Sequence, residues 1–173
     1  MKAVICEESA RLCRQVYRER LRAVVLAGSL ARDEGTFVET ERGRRLLGDA
    51  ELLLVFDDGA PPPPAADLAL IREQIEARLR RRGLRAEIAL SAVGRAYLRR
   101  LPPSIFAYEL RASGEAVAGE ASVLGLIPKF AAADIPREDA WRMLANRLVE
   151  QLPARTSSWR NARSSRRRRT TGP

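Results

Sequence analysis

The chain has 173 residues and contains no histidine. Without an imidazole, the protein has no histidine-based catalytic triad, no Cys/His zinc site and no imidazole general base. Any chemistry must therefore use carboxylates, cations, hydroxyl groups and metals that prefer oxygen ligands.

Cysteine is nearly absent, and long apolar runs are missing altogether. The two cysteines, Cys6 and Cys13, lie seven residues apart on a predicted helix, where a disulfide between them is sterically unfavourable. We expect them to be reduced, small buried side chains, as in a cytoplasmic protein. No apolar run approaches the ~18–20 residues that cross a bilayer, and the first residues lack the apolar core of a signal peptide. The sequence therefore predicts a cytoplasmic protein without a membrane span.

The positive charge of the chain is concentrated at its end. The net charge is +9, but residues 153–173 contain seven arginines and no acid, which leaves +2 for residues 1–152. This tail has almost no apolar content, and we predict that it is disordered. It is suited to non-specific binding of nucleic acid or an acidic membrane surface by counterion release. The abrupt loss of pattern is equally what a truncated or shifted reading frame would produce.

Apolar residues make up 46% of the chain, which predicts a globular body. Its pattern alternates strands and helices, so the predicted fold class is α/β: a small mixed sheet flanked by helices. The predicted strands are 21–28, 49–56, 84–93 and an edge strand at 114–120, with a hairpin at 35–45 and helices at 7–20, 67–82, 94–100 and 104–113. We predict one domain over residues 1–135. A C-terminal helix at 136–152, with Trp141 in its buried face, and the tail 153–173 follow it.

Two acids interrupt an otherwise apolar strand. Asp49 and Glu51 are two residues apart and therefore project from the same face. Side-by-side carboxylates repel each other unless a cation lies between them, and Mg²⁺ prefers such oxygen ligands. Glu87 is a lone acid in a later apolar strand. If that strand neighbours the first, Glu87 would complete a three-carboxylate cluster.

Gly28 and Ser29 stand where a predicted strand meets a predicted helix. Exposed backbone N–H groups and the positive end of the helix dipole make such a turn suitable for phosphate, and Ser29 is placed to cap the helix. Arg32, one turn further on, is placed to contact the same phosphates. Gly28, Ser29 and Arg32 are thus candidate phosphate-binding residues.

Gly-Ser at a strand-to-helix turn, followed by Asp-x-Glu on the next strand, resembles the DNA polymerase β-type nucleotidyltransferase superfamily. The stretches AGSLARDEGTF and GDAELLLVF are especially similar to bacterial members, and the resemblance covers about residues 21–120. It implies that Asp49 and Glu51 bind the metals that hold a nucleoside triphosphate. Gly28 and Ser29 then contact its phosphates, which makes Gly28, Ser29 and Arg32 the nucleotide-binding candidates. It also implies that Glu87 ligates one metal and activates the attacking hydroxyl. Ala89 faces the same way as Glu87 and is the alternative match for the third acid, in which case that carboxylate is missing.

The resemblance predicts an Mg²⁺-dependent enzyme that moves a nucleoside monophosphate from a nucleoside triphosphate to a hydroxyl acceptor. Two alternatives stay open at this point. One is a degenerate, non-catalytic nucleotidyltransferase fold that binds a nucleotide or a protein partner. The other is a nucleic-acid-binding protein that acts through its arginine-rich tail.

Overall fold

A computed structural model describes residues 1–41, 43–146 and 148–149. Over residues 1–131 (residue 42 is not described), the helices are α1 Lys2–Tyr17, α2 Gly28–Ala31, α3 Ala65–Arg81, α4 Arg95–Arg99 and α5 Ile105–Ser113. Its strands are β1 Leu21–Ala27, β2 Thr36–Thr40, β3 Gly43–Phe56, β4 Leu84–Gly94 and β5 Glu115–Gly119. Short 3-10 helices occupy Arg18–Arg20, Ala121–Leu126 and Ala132–Asp134.

The long strand β3 organises the sheet. It pairs antiparallel with β2 in a hairpin, antiparallel with β1, and parallel with β4 on its other side. The strand β5 pairs with the far edge of β1. The predicted α/β class, with a mixed sheet flanked by helices and an edge strand near residue 115, is confirmed.

Helices cover both faces of the sheet because its central strands are apolar on both sides. On one face, Leu52, Leu54 and Phe56 pack with residues of α1 and α3, among them Leu12 and Ile75. On the other face, a second core is formed by side chains of the sheet, α4 and α5: Val25, Leu53, Val55, Leu98, Ala107 and Leu110. Such burial on both faces explains the continuous apolar run that ends β3.

The start of β3 was not visible in the sequence. The strand begins at Gly43, six residues before the predicted Asp49, and its first part completes the hairpin with β2. An irregularity follows: Arg45 pairs with Arg85 and Asp49 with Glu87, so three residues of β3 lie opposite one of β4. Gly48 has a φ of +90° inside this bulge. The bulge sets the register of the whole carboxylate region.

Both cysteines are free thiols on α1. Cys13 is fully buried, and burial raises the pKa of its thiol to about 12. A thiol in that state is protonated at neutral pH and packs as a small apolar side chain. None of the helices in the described residues has the length and apolar character of a bilayer-spanning segment.

Residues Met1–Ala131 form one compact unit, and a second unit begins at Ala132. In the second unit a helix covers residues 137–146, directly after the predicted start at Pro136. Trp141 is 71% exposed, so the prediction of a buried Trp141 is wrong. Helical periodicity identifies an apolar face but does not say what covers it. The predicted disordered tail, residues 153–173, lies outside the described residues.

Candidate functional site

Asp49 and Glu51 lie on one face of β3, the face that carries Leu53 and Val55 further along the strand. Asp49 is exposed and Glu51 is partly buried. From Asp49 onward, this face of β3 is therefore first polar and then apolar. The carboxylates lie where the second core ends, beside the last residue of β1.

Glu51 lies against the turn between β1 and α2. Its strand partner is Ala27, the last residue of β1, so Gly28 comes next to its side chain. A Cβ atom at Gly28 would stand 2.6 Å from the Glu51 Oε1 atom, and Gly28 has a φ of +68°. The position therefore requires glycine for two reasons, a left-handed backbone and the space that the carboxylate occupies.

Ser29 does not cap α2, so that prediction is wrong. The N-cap residue is Ala27, without a side-chain cap, and Ser29 lies inside a helix of only four residues. So short a helix has little macrodipole, because that dipole is a sum over aligned peptide units. The exposed Ser29 hydroxyl is accordingly not used in capping. A phosphate at this turn would be held by the N–H groups and that hydroxyl.

Arg32 is the C-cap residue of α2, and its guanidinium lies near two acidic side chains. Its Nε atom donates to Glu34 Oε2 at 2.8 Å, and its Nη1 atom lies 3.4 Å from Glu109 Oε2. The hydrogen bond to Glu34 raises the pKa of Arg32, with the charges of Glu109 and Glu51 adding to the effect. Arg32 is thus held near Glu51, as a cation next to the predicted phosphate position.

Glu87 and Ala89 lie on β4, which is the neighbour of β3, as the cluster hypothesis required. The register pairs Glu87 with Asp49 and Ala89 with Glu51. Glu87 therefore lies beside the first acid, and the position beside the second acid holds a methyl group. Within residues 1–41, 43–146 and 148–149, no group of three or more Asp, Glu, Cys or His side chains is placed to hold a metal ion.

The two acids line a cleft of about 470 Å³. Its wall includes α5, through Phe106 and Leu110, and α3, through Arg72. Sequence reasoning missed these three residues and Ser91, which also line the cleft. Phe106 is exposed in an amphipathic helix, and only the packing of α5 beside the acids shows that it belongs to the cleft.

The residues present fit a magnesium ion that arrives with its nucleotide. Mg²⁺ keeps several waters and is usually bound by one or two carboxylates together with substrate phosphates. Asp49 and Glu51 supply two carboxylates on one face of one strand. That donor set consists of oxygen alone, as expected of a chain without histidine.

The chain matches no protein-family model and no curated protein sequence. It is similar to solved structures of toxin–antitoxin proteins. One is a toxin–antitoxin complex with AMP-PNP: the identity is 12%, the TM-score is 0.47, and the match covers 85% of this chain and 97% of that one. Another is a tri-AMPylated Shewanella oneidensis HEPN toxin in complex with an MNT antitoxin, with 12% identity, a TM-score of 0.45 and coverage of 88% and 98%. Identity of 12% conveys no residue correspondence, so function has to be inferred from the residues of this chain.

Proposed function

We propose that this chain binds a Mg²⁺-nucleoside triphosphate and transfers its nucleoside monophosphate to a hydroxyl acceptor. The observation that carries the proposal is the Glu51 carboxylate lying against Gly28, with Asp49 on the same face of β3. This arrangement brings two acids next to the start of α2 at the end of β1, and the first N–H groups of a helix have no partner within the helix. Carboxylates alone would repel a triphosphate, so the pairing makes chemical sense with a divalent cation.

In the proposed reaction, the acceptor oxygen forms a bond to the α-phosphorus and the bond from that phosphorus to the β-phosphate oxygen breaks. Diphosphate leaves, and the hydroxyl proton passes to a carboxylate or to water. Asp49 and Glu51 would hold magnesium, which would neutralise charge on the attacking and leaving oxygens. The turn at Gly28 and Ser29 would orient the phosphates. Glu87, beside Asp49, is the proposed base for the hydroxyl proton.

Arg32 and Phe106 have supporting roles in this proposal. Arg32 already lies among Glu34 and Glu109 near Glu51, so a triphosphate would exchange one anionic partner of the guanidinium for another. Phe106 lines the same cleft as both acids and offers an apolar surface for a nucleobase. The cleft thus has charged lining residues, Asp49, Glu51 and Arg72, and an apolar wall suited to a base.

The alternative, a non-catalytic nucleotide-binding module, is favoured by one observation. Glu51 has Ala89 as its neighbour on β4 where a third carboxylate would complete the site. Binding needs only the two acids, whereas proton removal needs a base. The alternative therefore predicts Mg²⁺-dependent nucleotide binding without release of diphosphate.

The test uses the full chain, Mg²⁺ and ATP labelled at the α-phosphate, with a panel of hydroxyl compounds as acceptors. We expect labelled product and diphosphate in equal amounts, and loss of both in Asp49→Asn. Glu87→Gln should lower the rate by about 10²–10⁴-fold, the usual contribution of a general base. If the chain binds Mg²⁺-ATP tightly but releases no diphosphate with any acceptor, the enzyme hypothesis is wrong and the non-catalytic binding module is favoured.

A further inference from the structure

A pair of arginines lies next to the carboxylates. Arg45 of β3 and Arg85 of β4 are direct partners across the parallel strands, and Asp49–Glu87 is the next pair in the register. Like charges directly opposite each other destabilise a sheet because they repel. The same repulsion between neighbouring carboxylates makes Asp49 and Glu51 notable. An anion between the guanidinium groups would remove that cost.

The two arginines line a cleft of about 340 Å³ together with Arg80 of α3. Within the described part of the chain, neither Arg45 nor Arg85 has an ion-pair partner. Their neighbours do: the Nε atom of Arg44 lies 2.5 Å from Glu39, and the Nη1 atom of Arg80 lies 3.8 Å from Glu76. Two uncompensated guanidinium groups facing one cleft are the donors that a phosphate group needs.

Acids also line this cleft, and their existing contacts matter. Glu76 accepts a hydrogen bond from the Ile88 N–H through one oxygen and lies near Arg80 through the other. Its charge is therefore already engaged at the edge of β4. Glu87 is the remaining acid, and it is the strand partner of Asp49. With three arginines and two acids along its wall, the cleft retains a net positive charge.

The position of this cleft relative to the carboxylates gives it a role. Arg85 and Glu87 are two residues apart on β4, hence on the same face and about 7 Å apart along the strand. The bulge at Gly48 takes up the extra residues of β3. Arg45 and Asp49 are therefore about as close along the sheet as their partners Arg85 and Glu87. The acids therefore lie between two clefts, one with the apolar wall of Phe106 and one with the arginines.

We propose that Arg45, Arg85 and Arg80 form a phosphate subsite for the acceptor, so that the acceptor is a hydroxyl compound that itself carries a phosphate. This inference rests on the proposed function and names its acceptor class. The phosphate on the arginines fixes the acceptor, and a hydroxyl of the sugar that carries this phosphate, several bonds away, reaches the α-phosphorus beside Asp49. The bonds made and broken are those of the transfer above. Sugar phosphates and the 5′-phosphorylated ends of RNA, where the first ribose keeps a free 2′-hydroxyl, share this chemistry.

The experiment is a ³¹P NMR titration of the full chain, without nucleotide, at about 0.15 M salt to screen long-range attraction. The probes are ribose 5-phosphate and a 5′-phosphorylated oligouridylate, whose first ribose keeps a free 2′-hydroxyl, and the unphosphorylated form of each is added as a competitor. The variants are Arg45→Ala/Arg85→Ala and, as a control with equal loss of charge, Arg44→Ala/Arg81→Ala. Calorimetry with Mg²⁺-ATP is run on the same proteins.

We expect at least one phosphorylated probe to bind, and its affinity to fall about tenfold or more in Arg45→Ala/Arg85→Ala. The control variant should bind it as the unchanged chain does, and Mg²⁺-ATP affinity should be the same in all three proteins. Which probe responds tells a small sugar phosphate from a polynucleotide end. Failure of both probes to bind, or equal losses in both variants, would overturn the subsite. Failure of the unchanged chain to bind Mg²⁺-ATP would instead overturn the proposed function.

Discussion

The Glu51 carboxylate occupies the space that a side chain at residue 28 would fill: a Cβ atom on Gly28 would lie 2.6 Å from Oε1 of Glu51. The acid and the glycine are thus fitted to each other across the β1–β3 pair. Neither residue is informative by itself, since a lone Gly-Ser and a lone strand acid are both common. Their contact joins the predicted phosphate turn to the predicted metal ligands.

Gly28→Ala should therefore damage both the fold and the site. Alanine at a φ of +68° is strained, which costs on the order of 1–3 kcal/mol, and its methyl group would also displace the Glu51 carboxylate. The control is Gly83→Ala, which has a similar φ of +72° but open space around its Cβ position. We expect lower melting temperatures for both variants and weaker Mg²⁺-ATP binding for Gly28→Ala alone. Equal ATP affinity in the two variants would show that the Glu51 contact is unimportant.

Ser104, the N-cap of α5, and Ser29, inside α2, should differ in their effect on stability. Ser104 caps α5, its hydroxyl oxygen accepting from the Ala107 N–H at 3.2 Å, whereas Ser29 caps nothing. Ser104→Ala should lower the free energy of unfolding by about 1 kcal/mol, and Ser29→Ala should leave it almost unchanged. Urea denaturation of the two variants measures this. A similar decrease in the free energy of unfolding for Ser29→Ala would show that Ser29 does cap α2.

Glu8 provides a pH-dependent part of the stability. It is only 3% exposed, on α1, and bonds to Arg11 and to Arg82, the latter at 3.1 Å. Burial acts to raise the pKa of Glu8, but the bonds from Arg11 and Arg82 outweigh it and hold the pKa below its ordinary value. A lowered carboxyl pKa stabilises the fold above the unfolded-state pKa of about 4.3, and this contribution is lost as the pH falls through the folded-state pKa.

Glu8→Gln should therefore cost roughly 1–2 kcal/mol at neutral pH, a value reduced from that of a fully buried ion pair because its arginines are half exposed. The difference from the unchanged chain should shrink below about pH 4. Glu7→Gln is the control, since Glu7 also meets Arg82, at 3.0 Å, but is exposed. Urea titrations at several pH values measure both variants. A pH-independent loss in Glu8→Gln would assign the effect to packing instead of charge.

Ala89 offers a gain-of-function test of the third-acid position. Ala89→Asp would place a carboxylate beside Glu51, and we expect it to tighten Mg²⁺-dependent ATP binding several-fold while lowering the melting temperature of the metal-free protein through repulsion. Ser91→Asp adds the same charge two residues further along the strand, beside Leu53, and is the control. Tightening by both variants would mean that the position beside Glu51 has no special role.

The strands and helices could be predicted because their signals are local. The apolar run at residues 49–56 and the stop at Gly83 need no knowledge of the rest of the chain. Whether Glu87 or Ala89 lies beside Glu51 is a different kind of question. The answer depends on the bulge at Gly48, because the number of extra residues in β3 decides which residue of β4 lies beside Glu51.

Trp141 and Ser29 show two other limits. An apolar stripe on a helix predicts burial only if a partner covers it, and in the described residues Trp141 is open to solvent. A serine after glycine is typical of a helix start, but here α2 begins at the glycine itself. The cleft residues Phe106 and Arg72 come from distant elements, so the local patterns of their own helices do not connect them with Asp49.

The most direct test of the central claim is calorimetric titration of ATP, with and without Mg²⁺, into the unchanged chain and into Asp49→Asn/Glu51→Gln. We predict Mg²⁺-dependent binding to the unchanged chain and its loss in the double variant. The melting temperature of the variant should be equal or higher, because removing two neighbouring charges relieves repulsion. An ATP affinity that is the same in both proteins, or independent of Mg²⁺ in the unchanged chain, would contradict a metal-nucleotide site at Asp49 and Glu51.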